Sequence, residues 1–141
     1  MGIQQLLLGQ GALKGTYIED LFATAKYDGI GTSGGVTVNN GVDLASDGGM
    51  LWIKQTDAGP YKRPLIVDSV RGVRKGIDPS WESLEMSAST DTSKDVVSFD
   101  DDGFTLGPPD STLGQNINRY DEHYVSWSFK KTPGFLDIQT F

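Results

Sequence analysis

The chain has 141 residues, 18 of them glycine and none cysteine, with 19 acidic against 12 basic side chains and a net charge of −7. That length fits one domain, at about 100–200 residues per domain, and is enough to bury a two-layer core. No basic face is available to displace counterions from a duplex, which excludes nucleic acid as a partner, and the lack of cysteine excludes disulfides, zinc-thiolate centres and thiol nucleophiles.

Residues 1–16, punctuated by Gly9, Gly11 and Gly15, read as an extended N-terminal arm. Its apolar side chains Ile3, Leu6, Leu7 and Leu8 need cover, either from their own domain or from a neighbouring subunit, and they are the interface candidates. The leucine run is too short for a signal segment and lacks a basic flank. It also falls far short of the ~20 residues that cross a bilayer, so no membrane insertion is expected.

Residues 17–141 read as one β-rich domain. Ile18 to Tyr27 fits a short helix or a strand, and Asp28 to Asn40 is turn-rich with room for a short hairpin. The continuous apolar run Gly49 to Lys54 predicts a strand either buried on both faces or central in a sheet, with Trp52 in the core. Pro60 and Pro64 frame a loop, and Leu65 to Val70 is a further strand. Pro79 to Ser93 alone has helical spacing, through Trp81, Leu84 and Ala88.

Val96 to Leu106 predicts a hairpin whose Asp102-Gly103 turn pairs Phe99 with Leu106. A long polar loop, Gly107 to Asp121, then leads to the closing pair of strands. In His123 to Lys130 the residues alternate strictly, which predicts a face of Val125, Trp127 and Phe129 turned to the core and a face of Ser126, Ser128 and Lys130 turned away. After a Pro-Gly break, Phe135 to Phe141 reads as the last strand. Fold class is therefore all-β, a sandwich-like domain with an extended arm and little helix.

Chemistry is sparse. Asp100, Asp101 and Asp102 concentrate hard oxygen ligands, but consecutive residues of a strand point to opposite faces, which suits a turn better than a calcium loop. Glu82 and Glu85 share a helical spacing and fit solvated charges better than a glycosidase pair, whose carboxylates flank a sugar from separate elements. His123, the single histidine, has no nucleophile in pattern with it. Arg71, Arg74 and Lys75 form the one basic cluster, read as a solvated or ion-paired turn. Of the three tryptophans, Trp52 and Trp127 fall in apolar strand patterns and read as core, leaving Trp81 as the candidate for ligand contact. No catalytic residue, metal ligand or cofactor site is expected, and the chain does not read as an enzyme.

Five phrases in register, Gly48-Gly-Met-Leu-Trp-Ile-Lys54, Asp68-Ser-Val-Arg-Gly-Val73, Ser98-Phe-Asp-Asp-Asp-Gly-Phe-Thr-Leu-Gly107, Tyr124-Val-Ser-Trp-Ser-Phe-Lys130 and Gly134-Phe-Leu-Asp-Ile138, carry a resemblance. Together they resemble a β-rich domain of tailed-phage virion proteins, found in tail-fibre and related tail proteins of marine and cyanobacterial phages. The resemblance covers about Tyr17 to Phe141. It implies a virion location in the phage tail and a structural role in docking or assembling a fibre or baseplate-associated protein. Homo-oligomers, with a trimer as the expected state, and other tail proteins are the implied partners. The alternative function is a carbohydrate-binding module contacting host surface glycans. Members of that family commonly continue into a lectin-type module, and they supply no catalytic motif to transfer.

Overall fold

A computed structural model describes residues 17–58, 63–79, 85–110 and 117–140 of the chain, with the side chains of Glu85 and Met86 excepted. The arm residues Ile3, Leu6, Leu7 and Leu8, together with Trp81 and Glu82, lie outside the described residues.

The ambiguous opening segment is both things in turn. A single helical turn, α1 (Ile18–Leu21), gives way directly to β1 (Phe22–Asp28). A 3-10 turn at Gly31–Ser33 precedes β2 (Val36–Asn39), and β3 (Gly49–Gln55) and β4 (Leu65–Asp68) follow. Next come β5 (Lys75–Ile77), β6 (Glu85–Ser87), the hairpin of β7 (Val96–Asp100) and β8 (Gly103–Leu106), and finally β9 (His123–Lys130). The strands form two antiparallel sheets, a six-stranded one in the order β1-β9-β3-β4-β5-β6 and a three-stranded one in the order β2-β8-β7. The all-β, sandwich-like fold expected from the sequence is the fold observed.

The core lies between the sheets. Leu51, Ile53, Leu65 and Val67 from the larger sheet meet Val38, Val96, Phe104 and Leu106 from the smaller, all buried in one cluster. Tyr27 stacks on Tyr124 at 5.1 Å and meets the edge of Phe104 at 6.1 Å. Its phenol donates to the Ile117 carbonyl at 2.7 Å, so the one polar atom of the ring is satisfied where it is buried.

Four expectations are corrected. First, β9 is turned over: Tyr124, Ser126 and Ser128 are buried, whereas Val125, Trp127 and Phe129 lie half-buried on the opposite face. The reason is the loop between β2 and β3. It lays Val42 and Leu44, both fully buried, on an inner surface made of small residues, where Asn40 Nδ2 donates to Ser128 Oγ at 2.8 Å. A side chain at Gly49 would already meet Leu44 at 2.7 Å, so no aromatic ring fits there. Second, β3 is central in its sheet, one of the two expected arrangements, but it alternates, with Leu51 and Ile53 inside and Trp52 and Lys54 exposed, so Trp52 is not core.

Third, the segment with helical spacing contains a strand: β6 pairs with β5 across Lys75↔Ser87 and Ile77↔Glu85, because the open edge of β5 offers hydrogen bonds that an isolated helical turn lacks. Fourth, Phe135 to Thr140 makes only one isolated bridge, Thr132↔Leu136, in place of a final strand.

The β7–β8 hairpin is present with a different register, Phe99↔Phe104 and Asp100↔Gly103, and a bulge between Val96 and Ser98. Gly103 sets it. Its φ of +137° and the Val38 carbonyl 2.0 Å from where a Cβ would stand require glycine inside the ladder, which leaves Asp101 and Asp102 as the turn.

Candidate functional site

The reversal of β9 creates a surface. On the outer face of the six-stranded sheet, the register places residues of β1, β9, β3 and β4 in rows across the strands. One row is Phe22, Phe129 and Met50, with the two phenylalanine rings 4.9 Å apart. The next is Thr24, Trp127, Trp52 and Ile66, and the one after it is Lys26, Val125 and Lys54. A last row carries Asp28 and His123.

Trp52 and Trp127 are direct cross-strand partners with ring centroids 5.4 Å apart and planes inclined by 47°. Trp52 is 38% exposed and Trp127 half-buried, so neither is the core residue that the apolar pattern of its strand suggested. Their alternation with buried neighbours is the signal that period-2 analysis contains; what it lacks is the sign of the face.

Lys26 and Lys54 are exposed on either side of Val125, and neither has a carboxylate partner among the described residues. Two acids at that end of the face are held by His123. Its Nδ1 lies 2.7 Å from Asp57 Oδ1, its backbone N–H donates to Asp57 Oδ2 at 2.5 Å, and its Nε2 lies 3.8 Å from Asp28. The Asp57 hydrogen bond and charge raise the imidazole pKa above its ordinary value. The same contacts, led by the backbone N–H, hold Asp57 at about 2. A carboxylate at each ring nitrogen makes an electrostatic clamp, not a base poised on a nucleophile.

The remaining sequence candidates are structural. Asp100 accepts the hydroxyls of Ser98 and Thr105 at 2.6 and 2.7 Å, and Asp102 accepts the Gly41 N–H at 2.8 Å, so this acidic run ties the hairpin to its neighbours. The basic cluster is the ion-paired alternative of the expected turn, with further contacts to the backbone. Arg71 pairs with the buried Asp68, and Arg74 donates to the carbonyls of Ser89, Asp91, Lys94 and Val96, tying the β6–β7 connection down. Asp95, buried at φ 58°, accepts the Ser89 and Asp110 N–H groups at 2.6 and 2.9 Å in the same knot. Sequence reasoning missed this hub because its partners are backbone atoms 15 to 22 residues away. Two shallow clefts have other linings, one with the exposed Tyr120 beside Arg119 and Glu122, the other with Asp47 and Lys131.

Residues 18–136 match the family model described as a domain of unknown function, DUF7483. The chain belongs to the DUF7483 family. The DUF7483 match starts at the first residue of α1 and contains the nine strands found among the described residues, so the outer face lies wholly within the family domain. No curated protein and no solved structure matches the chain.

Proposed function

We propose that this DUF7483 domain is a structural component of a phage tail, in a fibre or a baseplate-associated protein, where it docks or assembles the fibre by packing and carries out no chemistry. The resemblance of five phrases to tail proteins supports the location. The observation that carries the assembly role is the apolar end of the outer face. There Phe22, Phe129 and Met50 lie half-buried next to α1, whose Ile18 is 59% exposed after a 51% exposed Tyr17. A domain whose own core is complete between its sheets gains nothing from such a belt, and apolar patches of this kind mark interfaces. The arm residues Ile3, Leu6, Leu7 and Leu8 precede this end in the chain and would extend the contact.

Sedimentation velocity on the intact chain and on a variant with those four residues changed to serine tests the reading. A trimer that dissociates in the variant, with the far-UV circular dichroism unchanged, is expected. A monomeric intact chain would overturn the assembly role.

A second reading, contact with host surface glycans, is favoured by the Trp52–Trp127 pair in the adjoining row of the same face, with Trp52 exposed. Trp52 and Trp127 join Trp81 as candidates for that role.

A further inference from the structure

We infer that the Trp and Lys rows of the outer face form a binding site for an acidic glycan, a polymer of carboxylated or sulfated sugars, which deepens and rests on the glycan reading above. Three features of the face converge on that chemistry.

The tryptophan pair offers an apolar, electron-rich surface on which the C–H face of a pyranose ring can lie, and Trp52 has more than a third of its surface open to receive it. The hydroxyl of the exposed Thr24 lies in the same row, beside Trp127. A mostly apolar surface with a few polar groups at fixed positions is the usual make-up of a small-ligand site.

Next to the rings stand two cations. Lys26 and Lys54 belong to β1 and β3, one on each side of β9, so their Cα atoms are two strand spacings apart, about 10 Å. Flexible four-carbon stems can bring both ammonium groups over Val125, next to a ring stacked on Trp127. The row lies one residue pair further along the strands than the tryptophans, about 7 Å away. That is the scale of one sugar ring and its substituent.

The third feature is what leaves the lysines free. Asp28 and Asp57 lie at that end of the face, and His123 pairs with both. The cations thus have no carboxylate partner among the described residues of a chain that is acidic as a whole. Its net charge of −7 does not forbid the contact. At physiological salt the screening length is about 8 Å, so the two lysines dominate at the site while distant acids are screened. A neutral sugar would leave both ammonium groups unused, and an acidic peptide would use them without the flat rings.

In a Trp81→Phe background, tryptophan emission reports on the pair. Titration of the full chain with alginate and with chondroitin sulfate, at low salt, should give a saturable change with at least one of them. The affinity should fall at least tenfold in Trp127→Ala and at least fivefold in Lys26→Ala/Lys54→Ala, with Lys26→Arg/Lys54→Arg restoring it. Circular dichroism and the unfolding midpoint of each lysine variant should match the parent. Dextran binding as tightly as the acidic polymers would overturn the acidic specificity while leaving the glycan reading intact. Polyglutamate binding as tightly would overturn the sugar site in favour of an acidic protein partner. If neither acidic polymer nor dextran binds at millimolar sugar, both the inference and the glycan reading fall.

Discussion

His123 and Asp57 show how much one contact between exposed side chains can settle. The imidazole pKa is raised from 6.5, first by the hydrogen bond and then by the charge of Asp57, with Asp28 and Asp121 adding smaller amounts. Asp57 is lowered from 3.8 to about 2. Through linkage, the histidine contributes stability that is full below pH 6.5 and is lost as the pH rises through the raised folded value. The aspartate contributes stability that is present above pH 3.8 and is lost as the pH falls towards 2. The two overlap between pH 3.8 and 6.5, the window in which the clamp is complete. Both groups face solvent, so the effect on global stability is small and is best read at the site. Proton NMR of the His123 ring should give a midpoint above 6.5 in the parent, moving down towards 6.5 in Asp57→Asn. An unshifted midpoint in the parent would show that the clamp does not form in solution.

At the scale of elements, β9 carries the main lesson. Its alternation was plain in the sequence, and so were β3, β4 and the β7–β8 hairpin as strands. Alternation defines two faces without saying which is inside, and the larger side chains suggested the wrong one. The face is decided by Val42, Leu44 and Asn40, residues of a loop with no periodicity to read. The candidate site was hidden for the same reason, since a tryptophan taken for core cannot be nominated as surface. The Arg74 knot was hidden because a guanidinium that binds carbonyls leaves no partner pattern in the sequence.

Two substitutions separate the two assignments of β9. Ser128→Val overfills the small-residue surface and strands Asn40, and it should cost about 1–3 kcal/mol. Trp127→Ala removes half-exposed packing and a tilted ring contact, worth about 1 kcal/mol. Urea denaturation monitored by circular dichroism measures both. The reverse ranking, with Trp127→Ala costing the ~3–5 kcal/mol typical of a core aromatic, would put the aromatic face inside.

At the scale of the whole molecule, the question is whether two sheets of unequal size make one cooperative unit. The smaller sheet has three short strands and would be marginal alone. It is joined to the larger by the shared core and by Asn118, which is buried, accepts the Ile30 N–H at 2.9 Å and donates to the Gly107 carbonyl at 2.8 Å. Phe104 sits at the centre of that junction, fully buried and in edge contact with Tyr27 of the opposite sheet. Trp52 and Trp127 lie on the outer face of the larger sheet and are not members of the core cluster that holds Phe104, so in a Trp81→Phe background their emission reports on a different part of the molecule. If the sandwich is one unit, Phe104→Ala should lower the stability read by tryptophan emission by about 3–5 kcal/mol. The emission and circular dichroism transitions should stay superimposed. An emission transition left at the parent midpoint, with the circular dichroism split into two steps, would mean that the sheets unfold separately. The outer face would then rest on the six-stranded sheet alone.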